Sequence, residues 1–122
     1  MIENEKISDI ENVGIDIVEI NRFKNKSFTK NITFYKKLFS KSEIDYCNKF
    51  KSPYEHFAGK FAIKEATIKA INEKISFSDI EIFYKNSKPQ LKLKNLNSKY
   101  SFLVSVSHEK DYAIAIVISR LK

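Results

Sequence analysis

The sequence is poor in the residues that mark several large classes of protein. Among 122 residues it contains one cysteine, Cys47, two prolines and two glycines. A single thiol excludes an internal disulfide and a cysteine-based zinc site. So few glycines and prolines exclude a collagen-like or low-complexity chain. No apolar run approaches the ~18 residues that span a bilayer, and the polar first residues do not resemble a signal peptide. We therefore expect a cytoplasmic protein with no membrane partner.

The remaining composition fits one folded domain. Apolar residues make up 43% of the chain and charged residues 30%, close to the average of a soluble globular domain. The length predicts a single domain over residues 1–122, in which the polar residues 1–11 form a flexible N-terminal extension. A chain of this size builds only a modest core, so self-association would add to its stability.

The charge balance is strongly basic. Twenty-two Lys and Arg residues stand against 15 Asp and Glu, which gives a net charge of +7 and an attraction to anionic partners. Only Arg22 and Arg120 are arginines, whereas proteins that read base sequences rely on arginine. A basic RNA-binding module stays open as an alternative. Aromatic residues do not alternate with basic ones on one strand face, so we expect no nucleic-acid partner.

Apolar residues alternate with polar ones in five segments, and such alternation predicts β-strands. In the first segment Val13, Ile15 and Ile17 point to one side, and Gly14 and Asp16 point to the other. This pattern predicts a strand with one apolar face. The five predicted strands span residues 13–17, 80–84, 91–93, 102–107 and 112–118.

Two helices are predicted between the first strand and the other four. Ser40 and Glu43 form a capping-box pattern, which predicts a helix from there to about Phe50. A longer helix, rich in Ala, Lys, Glu and Phe, is predicted over about residues 54–71. One strand, then helices, then a run of antiparallel strands predicts an α+β fold with the helices packed on one face of a sheet.

Two polar residues stand at unusual positions in the predicted strands. Asp is depleted in strands, yet Asp16 lies between Ile15 and Ile17 in the middle of one. His108 follows directly after the predicted strand at residues 102–107. Each has an ordinary explanation, Asp16 as a residue of the solvent face and His108 as a capped turn residue. Both explanations stay open.

Three charged residues of the long helix lie in or beside its apolar stripe. At about 100° per residue, Lys64 falls inside the stripe, and Glu65 and Lys69 fall on its flank. The ordinary explanations are a surface ion pair between Glu65 and Lys69 and a Lys64 side chain that reaches along apolar surface to water. With Asp16, however, Glu65 supplies the two hard oxygen ligands that suit Mg²⁺ shared with phosphate. This set favours metal-assisted phosphoryl chemistry and names no substrate. The stripe consists of Phe57, Phe61, Ile68 and Ile71.

Three blocks of the sequence resemble those of bacterial holo-[acyl-carrier-protein] synthases, which are small 4′-phosphopantetheinyl transferases. The most specific piece is the pattern Phe-x-x-Lys-Glu-Ala-x-x-Lys at residues 61–69. The blocks follow one another in the family's order and spacing. They read GIDIVEINRF at residues 14–23, FAGKFAIKEATIKA at residues 57–70 and VSVSHEKDYA at residues 104–113.

The resemblance implies a reaction. The 4′-phosphopantetheine group of coenzyme A would pass to a serine of apo acyl carrier protein, with release of adenosine 3′,5′-bisphosphate, in support of fatty acid biosynthesis. It implies that Asp16 and Glu65 hold Mg²⁺ and that Glu65, Lys69 and Asp16 are catalytic. Glu65 or a water molecule would deprotonate the serine, and both options stay open.

The resemblance also implies binding surfaces and an assembly. Three basic residues, Arg22, Lys24 and Lys26, would face the acidic carrier protein, which gives the positive charge a partner. The family is typically homotrimeric, with coenzyme A in clefts between subunits. The residues implied to contact coenzyme A are Lys60, Lys64, Lys69 and His108.

The sequence departs from the family pattern at two points. Asn12 stands where the family usually has glycine, and residues 72–74, Asn-Glu-Lys, stand in place of a glycine-rich loop. These departures motivate a second alternative, a non-catalytic family member that acts through binding alone. The presence of Asp16 and Glu65 argues against it, because a binding protein has no need of metal ligands.

Overall fold

The structure, a computed structural model, describes residues 12–94 and 99–122, and within them the chain forms five strands and four α-helices. The predicted extension at residues 1–11 lies outside the described residues. No helix in the described ranges is long and apolar enough to cross a membrane. The elements are β1 Asn12–Glu19, α1 Asn21–Lys24, α2 Ile32–Leu38, α3 Lys41–Cys47, α4 Pro53–Ala70, β2 Ile80–Lys85, β3 Lys88–Leu93, β4 Tyr100–Glu109 and β5 Tyr112–Leu121.

The strands form two antiparallel sheets. The larger has the order β1-β5-β4, and its register places Asp16 opposite Ala115 and His108 opposite Ala113. The smaller is the β2–β3 hairpin. Its turn places Asn86 and Ser87 at φ values of 52° and 65°, as the commonest two-residue hairpin turns require. The predicted α+β class is confirmed.

Helix α4 crosses one face of the three-stranded sheet, and the residues between them are small. Ala113 and Ala115 of β5 are fully buried there. Gly14 of β1 approaches the helix so closely that a Cβ atom would overlap the carbonyl oxygen of Ala66. Close packing against α4 therefore fixes the strand that carries Asp16.

The apolar face predicted for β1 is not the face that packs on α4. Val13, Ile15 and Ile17 are 54%, 59% and 59% exposed, because they lie on the opposite side of the strand from the buried Gly14 and Val18. The register carries this surface across β5 and β4. We call it the open apolar face, and it consists of Val13, Ile15, Ile17, Leu103, Ile114 and Ile116.

The helices enclose a cluster of aromatic rings on the other sides of α4. The hydroxyl of Tyr35, on α2, donates to the carbonyl oxygens of Phe23 and Lys26 at 3.1 and 2.7 Å. Its ring centre lies 4.7 Å from that of Phe57 on α4. The sequence patterns did not predict α2. The buried rings are Phe23, Tyr35, Phe39, Phe57 and Phe61.

The two predicted helices are present with small changes in their ends. The long helix covers Pro53–Ala70 instead of residues 54–71. The capping box at α3 is confirmed, because Ser40 Oγ accepts from the Glu43 amide and the Ser40 amide donates to Glu43 Oε1 at 2.8 Å. Helix α3 ends at Cys47, three residues before the predicted end.

Candidate active site

Two of the three residues predicted to be catalytic, Asp16 and Lys69, are in contact where β1 meets α4. The Asp16 side chain, 15% exposed, lies on the α4 side of β1, and its Oδ1 atom is 3.2 Å from Lys69 Nζ. Lys69 Nζ also donates to the carbonyl oxygen of Ile15 at 3.0 Å. Glu65 lies one turn before Lys69 on the same side of the helix. Asp16 is therefore not a residue of the open solvent face, and Lys69 pairs with Asp16 instead of Glu65.

Asp16 and Glu65 fit a Mg²⁺ ion that a phosphate group completes. Both supply carboxylate oxygens, and the Glu65 carboxylate makes no hydrogen bond or ion pair with any residue that the structure describes. In those same residues no group of three or more His, Cys, Asp or Glu side chains could hold a metal ion. Mg²⁺ commonly takes one or two carboxylates and fills its remaining positions with substrate phosphate and water. The donor set therefore fits a metal that is shared with a substrate.

Lys60 lies beside a pair of stacked tyrosine rings, near the middle of α4. Its ammonium is 4.3 Å from the ring centres of both Tyr46 and Tyr84 and donates to Tyr84 Oη at 3.3 Å. The two rings stack on each other with their centres 4.4 Å apart. Burial lowers the pKa of Lys60 below its ordinary value, because the charged form loses hydration. We call Lys60, Tyr46 and Tyr84 the lysine cage.

His108 packs against α4 at Gly59, the residue before Lys60. It belongs to β4, and its Nε2 atom is 3.0 Å from the carbonyl oxygen of Glu55. The ring lies so close to α4 that a Cβ on Gly59 would come within 3.0 Å of Nε2. The position of His108 thus depends on its packing against the helix and not on a turn.

Lys64 is buried inside the protein. Its ammonium donates to Glu43 Oε1 at 2.8 Å and to the carbonyl oxygens of Leu38 and Phe77 at 2.9 and 3.1 Å. Burial lowers the pKa of Lys64, and the Glu43 carboxylate opposes that shift. The side chain does not reach water along the surface. Its contact with coenzyme A stays a prediction, and all three N–H groups already have acceptors within the chain.

The basic residues predicted to face a carrier protein lie on α1 and just after it. The Arg22 guanidinium is 4.9 Å from the ring centre of Phe61, which lies on α4 one turn before Glu65. The Lys26 ammonium is 4.6 Å from the ring centre of Phe34. Lys24 is exposed in the last turn of α1. A partner bound to these residues would lie near the carboxylates of the site.

The two departures from the family pattern contact each other. Asn12 Nδ2 donates to Asn72 Oδ1 at 3.5 Å. The next residue, Glu73, accepts from Lys99 Nζ at 3.2 Å and from the Tyr100 hydroxyl. These bonds lower the pKa of Glu73, the Tyr100 contact most of all. Side-chain hydrogen bonds therefore hold the loop after α4, where the family pattern has a glycine-rich loop.

Sequence patterns missed three residues around the predicted site. Tyr46 and Tyr84 lie beside the Lys60 ammonium, and Glu43 accepts from Lys64. Glu43 was identified only as part of a capping box, although a carboxylate can accept more than one donor. Tyr46 and Tyr84 belonged to a predicted helix and a predicted strand, but their contact with Lys60 was not predictable, because α3 and β2 are far apart in the sequence.

Comparison with known proteins places the chain in a family. Residues 12–117 match the 4′-phosphopantetheinyl transferase superfamily. The chain belongs to this superfamily. The holo-[acyl-carrier-protein] synthase of Mycoplasma capricolum is 42% identical over 113 residues, which cover 91% of this chain and 96% of that protein. That of Thermodesulfovibrio yellowstonii is 37% identical over 112 residues, which cover 89% and 97%.

Solved structures of holo-[acyl-carrier-protein] synthases have the same fold. The enzyme of Helicobacter pylori, in complex with coenzyme A, matches 88% of this chain and 98% of its own with a TM-score of 0.76 and 34% identity. The enzyme of Bacillus anthracis, in complex with CoA (3′,5′-ADP), matches 93% and 98% with a TM-score of 0.77 and 31% identity. The predicted resemblance is confirmed.

Proposed function

We propose that the protein transfers the 4′-phosphopantetheine group of coenzyme A to a serine of apo acyl carrier protein. The observation that carries this proposal is the junction of β1 and α4, where Asp16 and Lys69 are paired and the Glu65 carboxylate lies one turn away. The relatives named above are holo-[acyl-carrier-protein] synthases, and the two solved structures are complexes with coenzyme A and with CoA (3′,5′-ADP). Adenosine 3′,5′-bisphosphate would be the second product, and the holo carrier protein would serve fatty acid biosynthesis.

Asp16, Glu65 and Lys69 would act on the pyrophosphate of coenzyme A. Asp16 and Glu65 would hold Mg²⁺, which when bound neutralises phosphate charge and orients the leaving group. Lys69, 56% exposed and 3.2 Å from Asp16, can turn its ammonium toward a phosphate oxygen. Glu65 or a water molecule would take the serine proton.

Lys60 and His108 would bind the nucleotide end of coenzyme A. His108 packs on α4 at Gly59, and six residues of helix place Glu65 about 9 Å further along the axis. A ligand that carries phosphate groups at two separated points could therefore contact both His108 and the site at Glu65. Lys60 is next to Gly59, and its caged ammonium is a donor for phosphate oxygen.

Carrier binding would use the positive surface at α1. Arg22, Lys24 and Lys26 lie near the site, and the net charge of +7 would speed the encounter with an acidic carrier protein. We infer that the working assembly is a homotrimer in which the open apolar face is covered by neighbouring copies. Exposed contiguous apolar surface of this kind commonly marks an interface.

Intact-mass spectrometry of apo acyl carrier protein, incubated with this protein, coenzyme A and Mg²⁺, tests the proposal. We expect a gain equal to one phosphopantetheine group, and EDTA should abolish it. Glu65→Gln should lower the rate by at least about a hundredfold, because it removes one carboxylate ligand, and should leave the unfolding temperature nearly unchanged.

Asp45→Asn is the matched control for that variant. Asp45 is an exposed carboxylate on α3, and its ion-pair partner among the described residues is Lys41, so its loss should not change transfer. No mass gain with several carrier proteins would contradict the proposal. Coenzyme A binding would then distinguish a non-catalytic family member, which still binds it, from a basic RNA-binding module, which does not.

A further inference from the structure

Two layers of contacts connect α4 with α3 and β2. Lys60 and Lys64 lie one turn apart on the same side of α4. Each ammonium reaches a side chain of α3, Tyr46 for Lys60 and Glu43 for Lys64. Glu43 and Tyr46 are three residues apart and share one face of α3. Lys60 also reaches Tyr84 of β2 directly, whereas Lys64 is connected to β2 through Glu43, whose other oxygen accepts from the Ile82 amide.

The inner layer is a buried ion pair with every partner supplied by the chain. Glu43 Oε1 accepts from Lys64 Nζ and from the Ser40 amide, each at 2.8 Å. Glu43 Oε2 accepts from the Ile82 amide of β2 at 2.7 Å. A buried ion pair adds little stability on balance. The pair instead fixes the position of α3 and β2 relative to α4.

The outer layer is the lysine cage, and it depends on the inner one. Tyr84 lies two residues after Ile82 on β2, so both side chains point to the same face of the strand. Glu43 holds Ile82 through its amide and holds Tyr46 through helix α3. One carboxylate thus sets the position of both rings around Lys60.

We propose that Lys64 and Glu43 are positioning residues for coenzyme A, which fix Tyr46 and Tyr84 around Lys60 and do not touch the ligand. The inference rests on the proposed function, because it takes Lys60 as a contact for a nucleotide phosphate. It assigns Lys64 a role different from the contact that the family resemblance implies. Loss of the pair would raise the KM for coenzyme A more than it lowers kcat, because the reacting phosphate lies near Glu65.

Two double variants separate positioning from contact. Glu43→Gln/Lys64→Met removes both charges and keeps a carbonyl oxygen at position 43 that can accept from the Ile82 amide. Glu43→Leu/Lys64→Met removes the charges and the acceptor. Neither variant retains the Lys64 ammonium. Calorimetry measures the Kd for coenzyme A alone, and hydrogen exchange of the Ile82 amide reports on β2. The Val117 amide, in the other sheet, is the internal control.

We expect the leucine variant to exchange the Ile82 amide faster and to bind coenzyme A roughly tenfold more weakly than the glutamine variant, an effect typical of displaced supporting residues. Equal weakening in both variants would show that the Lys64 ammonium itself contacts the ligand. Faster Ile82 exchange without a change in Kd would show that the hairpin does not control binding. Either result overturns the inference.

Lys60→Met serves as the control for a direct contact. If the leucine variant does not fold, the glutamine variant is compared with Lys60→Met. A smaller loss of affinity in the glutamine variant supports positioning, and an equal loss with unchanged Ile82 exchange overturns it. Failure of the native protein to bind coenzyme A would count against the proposed function, whereas native binding without transfer to a carrier would leave this inference standing.

Discussion

Three lysines of α4 have different surroundings within three turns of helix. Lys60 is caged by two tyrosine rings, Lys64 is paired with a buried carboxylate, and Lys69 is exposed beside Asp16. The family resemblance implied that all three contact coenzyme A. It could not separate them, because the partners of each lysine come from elements far away in the sequence. The family resemblance names these lysines, and the structure supplies the partners of each.

Gly14→Ala should disturb the packing of β1 on α4 and, with it, the candidate site. The added methyl group would overlap the carbonyl oxygen of Ala66, which is backbone and cannot rotate away. We expect a loss of about 1–3 kcal/mol in the free energy of unfolding, together with reduced transfer because β1 carries Asp16. Urea unfolding measures the first effect and the mass assay measures the second.

Gly59→Ala is the comparison for that variant. Its methyl group would meet the imidazole of His108, a side chain that can move, and alanine favours a helix interior by roughly 0.5–1 kcal/mol over glycine. We expect near-native stability. If Gly14→Ala were as stable as Gly59→Ala, the close approach of β1 to α4 would not fix the strand.

The buried thiol of Cys47 should make the free energy of unfolding depend on pH. Burial raises the pKa of its thiol from 9.0 to about 12. The unfolded chain therefore loses this proton first, and the thiol's contribution, complete below pH 9, declines as pH rises toward 12. The slope reaches at most about 1.4 kcal/mol per pH unit. Urea unfolding between pH 8 and 10 should show a steeper fall for the native protein than for Cys47→Ala.

The comparison of these two chains isolates the thiol. Lys60 and Lys64 have lowered pKa values, so their titration raises stability with pH below the ordinary lysine value, but both chains share that effect. Parallel slopes in the two proteins would mean that the thiol is not shielded from water in solution.

At the scale of elements, sequence patterns predicted the features that depend on interactions between neighbouring residues. Ser40 and Glu43 lie three residues apart, and their capping box predicted the start of α3. Helix α2 was missed because it is stabilised by distant contacts, above all Tyr35 against Phe57. Alternation in β1 identified two faces of the strand but not the one that α4 covers. The covered face is the one that carries the small residues, Gly14 of β1 and Ala113 and Ala115 of β5, because these let the helix approach closely.

Helix α4 is the element on which the candidate site is built. The sheet lies on one side of it, the aromatic cluster on another, and α3 with the β2–β3 hairpin on a third. A helix surrounded in this way places charged side chains in three different environments at once. Asp16, His108 and Tyr84 reach it from three separate strands.

At the scale of the whole molecule, the open apolar face predicts self-association. Ile15→Lys places a charge at its centre and should convert a trimer of the 14.3 kDa chain into monomers, because an unpaired charge is costly to bury. Light scattering after size-exclusion chromatography measures the mass. If coenzyme A binds between subunits, transfer should fall in the same variant.

Ile32→Lys is the matched control. Ile32 is an isoleucine of α2, 41% exposed and outside the open apolar face, so its substitution should leave the mass unchanged. A native protein that is monomeric at working concentration would contradict the proposed assembly. An Ile15→Lys protein that stays trimeric would place the interface on another surface.

The pairing of β1 with β5 joins the two ends of the described chain. Asn12 lies opposite Ser119, and Asp16 lies opposite Ala115. During synthesis on the ribosome, β1 emerges before the other strands that the structure describes, and β5 emerges after them. Until β5 is made, β1 can pack on α4 but lacks its hydrogen-bonded neighbour in the sheet. A nascent or truncated chain that stops before β5 therefore has Asp16, Glu65 and Lys69 but lacks the strand that pairs with β1, and the candidate site is complete only once β5 is in place.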